Sequence, residues 1–180
     1  MLKLKGLVLA GALFVASAMP AAAQDGLGLG LSFLGDEGGA GFLVDYSQPF
    51  KTQNTGARLG WVGEFSYFPG DFFSTLMAQG GVRASGRAGE KLNWLAHGMV
   101  GMLRQSADGG DIVDDLCDVL DLDCDASNTG ALLTIGGGVE YAINEKSGLR
   151  GQLDFPIALT DGGGNTTRFT IAYVLKMGGN

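Results

Sequence analysis

The chain of 180 residues is poor in the residues on which most site chemistry is built. It holds one histidine, two cysteines and four prolines, and charged residues make up only 17%. A single histidine with two cysteines argues against zinc sites built on Cys/His clusters. Basic residues are outnumbered 12 to 19, for a net charge of −7. Nucleic acid is therefore not expected as a partner, because phosphate backbones need a basic surface. Beyond the N-terminus no stretch approaches the roughly 18 apolar residues of a membrane-spanning helix. The low charge and 46% hydrophobic content also argue against a disordered chain. What is abundant is glycine, with 32 residues, far above the usual share of about 7%. The length suits one domain.

The N-terminal segment has the form of an export signal. Lys3 and Lys5 precede an apolar run from Gly6 to Ala18, and Ala21, Ala22 and Ala23 supply the small residues of a cleavage site. Residues 1–23 are expected to be removed, leaving 24–180 as one barrel domain beginning at Gln24. An exported chain with no apolar helix is either soluble or inserted as a barrel.

Period-2 alternation recurs along the remainder, and helical spacing is nearly absent. It predicts eight strands, near 27–34, 40–48, 57–68, 72–83, 92–103, 132–143, 148–159 and 166–177. The last three are the clearest. In one, Leu133, Ile135, Val139 and Tyr141 alternate with Thr134, Gly136, Gly138 and Glu140. In the next, Leu149, Leu153, Phe155 and Ile157 alternate with Arg150, Gln152 and Asp154. In the last, Phe169, Ile171, Tyr173 and Leu175 alternate with Arg168, Thr170, Ala172 and Lys176. Segments rich in Gly, Asn, Asp and Pro separate the strands, as turns require.

Alternation alone does not say which face is wet. A soluble barrel turns its apolar face inward, whereas an outer-membrane barrel turns it to lipid and lines its interior with the polar face. Three features favour the membrane reading. The apolar set is long and aromatic, including Phe42, Tyr46, Trp61, Phe65, Tyr67, Phe155, Phe169 and Tyr173, as interfacial girdles require. The opposite set is rich in Gly, Ser and Thr and carries charges of both signs. Strands of roughly 9–11 residues match a tilted crossing of a bilayer. The expected interior polar network comprises Asp45, Arg58, Glu64, Arg83, His97, Glu140, Arg150, Gln152, Asp154, Arg168 and Lys176. Enclosed in a narrow barrel, such charges must pair.

The stretch Gly136-Gly-Gly-Val-Glu-Tyr-Ala-Ile-Asn-Glu-Lys-Ser-Gly-Leu-Arg-Gly-Gln-Leu-Asp-Phe155 combines a Gly-rich strand, a Glu-Tyr pair, a tight Asn-containing turn, Leu-Arg and an acidic-aromatic pair. It resembles the small outer-membrane β-barrel family, which includes the OmpA transmembrane domain, OmpX and the opacity-protein-like porin family. The resemblance implies an all-β fold, an eight-stranded antiparallel up-and-down transmembrane barrel in a bacterial outer membrane, reached by export through the periplasm. It also implies a periplasmic N-terminus, short periplasmic turns such as Asn144-Glu145-Lys146, and long external loops. The chain differs from the family's usual aromatic end, since Tyr173 is its last aromatic residue.

The most distinctive segment is the connection 104–129. Eight aspartates lie between Asp108 and Asp125, so this loop holds nearly all the net charge. Cys117 and Cys124 lie within it, and in an exported chain they are expected to form a disulfide. Asp121, Asp123 and Asp125 have the alternating acids of a calcium loop, but Ala126 and Leu132 replace its glycine and terminal glutamate. They are weak candidates for divalent cations rather than an EF-hand. His97 lies on a strand beside Ala96 and Gly98 with no adjacent serine nucleophile, so a buried structural histidine is the simpler expectation than a lipid-modifying enzyme. No cofactor is expected. The reading is a non-enzymatic structural or surface-interaction barrel. Its expected partners are outer-membrane lipid and lipopolysaccharide, with divalent cations or an extracellular ligand at loop 104–129. The alternatives are a small porin-like channel, a lipid-modifying barrel and a soluble periplasmic barrel.

Overall fold

A computed structural model describes residues 25–35, 39–50, 57–70, 73–107, 127–159 and 165–177. The expected signal segment 1–23, Cys117, Cys124 and Asp121, Asp123 and Asp125 lie outside the described residues. Eight strands follow one another: β1 (Asp25–Leu34), β2 (Ala40–Pro49), β3 (Ala57–Phe68), β4 (Phe73–Arg87), β5 (Leu92–Ala107), β6 (Ser127–Asn144), β7 (Ser147–Ala158) and β8 (Arg168–Met177). Each pairs antiparallel with its neighbour in sequence, and β1 pairs with β8, closing the barrel. Closure leaves no strand edge unpaired, which is what an antiparallel sheet needs to avoid edge-to-edge association.

The strands alternate as the pattern predicts, with the polar parity inside. Along β8 the buried residues are Arg168, Thr170, Ala172 and Val174, while Phe169, Ile171, Tyr173 and Leu175 are exposed. On the outer surface Leu31 and Val100 are each 63% exposed and Ile135 56%, so this is a surface with an apolar solvent and not a core. Aromatic rings gather toward both ends of that surface. Tyr46 and Trp61 meet edge-on at 5.2 Å near the end that holds the chain termini. Phe42 contacts Tyr67 at 5.6 Å and Phe65 at 6.5 Å toward the other end. The Trp94 indole lies over Gly86, where a Cβ would meet its ring atoms at 2.7 Å; this packing covers a glycine that would otherwise weaken the strand.

Two strands extend further than the alternation suggests. β5 continues to Ala107 and β6 begins at Ser127, with Arg104↔Thr129, Gln105↔Asn128 and Ser106↔Ser127 in register. These residues are polar on both faces, so they carry no period-2 signal, yet the ladder needs only their backbone groups. The connection between these strands therefore spans 108–126. β4 likewise runs to Arg87 rather than ending at residue 83. The expected tight turn is present between β6 and β7, where the Lys146 amide donates to Asn144 Oδ1 at 2.8 Å, an Asx turn of the kind that fixes short connections. A closed barrel of this type should migrate as a compact, detergent-resistant band on an unboiled gel and shift only after boiling. Identical mobility before and after boiling would be the contrary result.

Candidate functional site: the charged lumen

Among the described residues the inward-facing side chains of the strands are largely buried and fill much of the interior. Toward the loop end, Phe68, Met77 and Leu132 form a buried apolar cluster, with Leu34 and Leu103 packed against it. Below it lie two connected groups of charges, supplied by the inward parity of β2, β3, β4, β5, β6, β7 and β8.

The first group centres on Arg168. Its Nη1 lies 2.6 Å from Glu64 Oε1 and its Nη2 2.7 Å from Asp154 Oδ2, and all three side chains are fully enclosed. Nη1 also donates to Ser66 Oγ at 3.1 Å. The other oxygen of Asp154, Oδ1, lies 2.9 Å from His97 Nε2, and Gln152 Nε2 donates to Oδ2 at 2.7 Å. Gln79 donates to Glu64 Oε1 at 3.1 Å and accepts from Thr134 Oγ1. Asp154 and Arg168 are direct cross-strand partners, as are Glu64 and Gln79. The register thus places Asp154 opposite Arg168 and Glu140 opposite Arg150, whereas Asp45 and Glu64 face each other and take their cations from other strands.

The second group centres on Asp45, whose Oδ2 accepts from Arg83 Nη1 and Arg150 Nη1, each at 2.7 Å. Arg150 also reaches Glu140 at 3.5 Å, and Glu140 reaches Lys176 Nζ at 3.5 Å near the mouth. Glycines make room for these carboxylates. A Cβ on Gly28 would collide with Asp45 Oδ1, and one on Gly136 would collide with Asp154 Oδ1 and lie 2.7 Å from His97 Nε2.

Of the sequence candidates, Asp45, Glu64, Arg83, His97, Arg150, Gln152, Asp154 and Arg168 are buried in the lumen. Glu140 and Lys176 are partly covered at its mouth. Arg58 departs from expectation: it keeps the inward parity of β3 but lies exposed at the barrel end, beyond the enclosed network. Ser32, Ser66, Gln79, Thr134 and Thr170 join the buried set, and Ser32 and Thr170 hydroxyls lie 2.6 Å apart. Their inward parity was readable in the sequence; their partners were not. Among the described residues no cluster of His, Cys, Asp or Glu has the makings of a metal site.

No protein-family profile and no curated protein sequence matches the chain. Solved structures do. The outer membrane enzyme PagL is similar over 83% of this chain and 98% of its own, with TM-score 0.51 and 15% identity. Neisserial surface protein A (NspA) is similar over 86% and 94%, with TM-score 0.52 and 12% identity. The N-terminal β-barrel domain of Pseudomonas aeruginosa OprF is similar over 87% and 100%, with TM-score 0.53 and 11% identity. The fold is that of the small eight-stranded outer-membrane barrels.

Removing Arg168 leaves Glu64 and Asp154 enclosed without their shared cation, and breaking a buried pair in this way costs about 3–5 kcal/mol. Arg168→Met should therefore lower the urea midpoint of the protein refolded in lipid vesicles far more than Arg58→Met does. Gly136→Ala should also destabilise, since its methyl group must displace the His97–Asp154 contact. Equal midpoints for Arg168→Met and Arg58→Met would show that the network contributes little.

Proposed function

We propose that the chain is a bacterial outer-membrane protein in which the barrel is a rigid, closed scaffold and the activity lies in what it presents at the cell surface. The observation that carries this reading is the pairing of an apolar outer surface with a lumen filled by ion-paired side chains and closed by Phe68, Met77 and Leu132. A surface with Leu31, Val100 and Ile135 more than half exposed suits lipid. A filled eight-stranded lumen suits a scaffold better than a pore. The structural likeness to outer-membrane barrels supports this placement. Residues 1–23 serve as the cleaved export signal.

On this reading β5 ends and β6 begins at the barrel end opposite Asp25 and Met177, and that end is the external side. The eight aspartates between Asp108 and Asp125, in the connection after β5, repel anionic lipopolysaccharide unless divalent cations bridge the two. A Cys117–Cys124 disulfide pins the loop, which is too short to build much of a core of its own. The proposed role is surface interaction through this loop and not catalysis. The likeness to PagL leaves enzymatic chemistry open to the fold, but His97 is enclosed in the lumen and engaged with Asp154, out of reach of a lipid ester.

Deleting Asp108 to Asp125 should leave the heat-dependent gel shift intact while abolishing calcium-dependent association with lipopolysaccharide vesicles. Loss of the gel shift on deletion would show that the loop is part of the folding unit, contrary to the proposal. In planar bilayers the intact protein should give no steady conductance, and a stable open level would favour the channel reading. Ile135→Arg places a charge on the outer surface at mid-strand and should reduce folding stability in vesicles by about 2–4 kcal/mol; an unchanged stability would count against lipid contact there.

A further inference from the structure

We propose that the outer wall of the barrel at its external end carries a direct contact for a phosphate of the lipopolysaccharide headgroup, centred on Arg104 and made without a bridging metal. The inference rests on the external placement proposed above. Arg104 has the outward parity of β5 and is exposed. It is alone in this among the basic residues of the eight strands, since Arg58, Arg83, Arg87, Arg150, Arg168 and Lys176 all have inward parity. One row of outward positions crosses five strands through it: Phe42, Tyr67, Leu76, Arg104 and Thr129 are successive cross-strand partners. At this row the wall changes character. Toward mid-barrel stand Met102, which is 54% exposed, and Ala131. Toward the loops stand Ser106 and Ser74, themselves cross-strand partners. Arg104 thus leaves the wall where apolar surface gives way to polar, in the same row as the aromatic rings of Tyr67 and Phe42. That is the depth at which lipid headgroups meet such a barrel.

The chemistry around Arg104 is that of an anion contact. The Ala142 amide donates to the Lys91 carbonyl, which makes residues 91 and 142 a hydrogen-bonded pair of the β5–β6 ladder. The alternation then makes Arg104 and Thr129 a non-hydrogen-bonded pair, the kind whose Cα atoms approach to about 4.5 Å with side chains close together. The guanidinium therefore stands beside the Thr129 hydroxyl, with the hydroxyls of Ser106 and Ser74 one step nearer the loops. All of these groups can donate, and among the described residues no carboxylate shares this stretch of outer wall. Arg104 makes no ion pair among the described residues; the lumen carboxylates take Arg83, Arg150, Arg168, Lys176 and His97. A guanidinium fork is the side chain best matched to phosphate oxygens. The charges nearby sharpen the contrast. The connections at this end hold two acidic residues in 35–39, one in 69–72, eight in 108–126 and one in 159–167, with no lysine or arginine. Such a set repels the phosphates of lipopolysaccharide, so the loops need divalent cations to meet it. Arg104, below them on the wall, needs none.

The test uses the full chain refolded in maltoside detergent with EDTA, so that no divalent cation can act as a bridge. Native mass spectrometry reads the lipid retained from three probes added singly: bisphosphorylated lipid A, the same lipid A with its phosphates removed, and phosphatidylglycerol. Retention of the phosphorylated lipid A is expected to exceed that of the other two about tenfold. Arg104→Gln should lower it by about the same factor, the usual effect of losing a charge-assisted hydrogen bond, and Thr129→Val should lower it less. Arg87→Gln, an exposed change at the opposite end, should leave it unchanged. Each variant should keep the heat-dependent gel shift, because neither Arg104 nor Thr129 belongs to the lumen network. Equal retention of lipid A with and without phosphate overturns the proposal, as does retention unaffected by Arg104→Gln. Equal retention of phosphatidylglycerol overturns the assignment to lipopolysaccharide. Any of these results, with the gel shift and the calcium-dependent association intact, refutes the Arg104 contact alone. Loss of the gel shift in the unmodified protein refutes the membrane placement and the contact with it.

Discussion

The burial of Arg168 sets the terms for the rest of the interior. A guanidinium enclosed on all sides is tolerable only when carboxylates meet it, and two do, Glu64 from β3 and Asp154 from β7. Those carboxylates in turn need partners for their remaining oxygens, and Asp154 finds His97 and Gln152. The chain of obligations runs through four strands, β3, β5, β7 and β8. It fixes their relative height as firmly as the backbone ladder does, because sliding any strand by two residues would separate an ion pair inside a low-dielectric enclosure.

The outer surface and the lumen together invert the arrangement of an ordinary globular domain. Apolar groups that would form a core in water, such as Ile135, Phe155 and Phe169, stand exposed on the outside. Many of the groups inside are charged or hydroxylic, and buried apolar side chains such as Leu43, Val62, Met99 and Val174 stand among them, with a cluster at Phe68, Met77 and Leu132. Uniqueness of the interior then comes from hydrogen-bond geometry as well as from hydrophobic packing. Glycine is part of this arrangement. Gly28 and Gly136 stand where a methyl group would meet Asp45 or Asp154, so a narrow barrel can hold full-sized charged side chains only if some inward positions are empty.

Likeness to PagL, NspA and the OprF barrel at 11–15% identity shows how little sequence the fold requires. Period-2 alternation, turn residues and strand lengths carry most of what specifies it. For the same reason, the fold does not carry an activity with it. An enzyme and a surface protein share this architecture. Function has to be argued from what fills and caps the barrel.

The alternation of Arg168, Thr170 and Ala172 with Phe169, Ile171 and Tyr173 is written in the chain, and it determined by itself that strands form, how many, and which residues share a face. It could not do so where both faces are polar, and the β5–β6 ladder from Arg104 to Ser106 went unread because backbone pairing needs no side-chain pattern. Pairing inside the lumen was beyond it as well. Arg58 and Arg83 have the same parity and look alike in sequence, yet one is exposed at the mouth and the other is buried on Asp45. That difference depends on the stagger between neighbouring strands, which brings Asp45 beside Arg83 and Arg150 although these three lie 38 and 105 residues apart. Period specifies facing because it is local to one strand. Only closure of the barrel specifies height, and height decides which charge meets which.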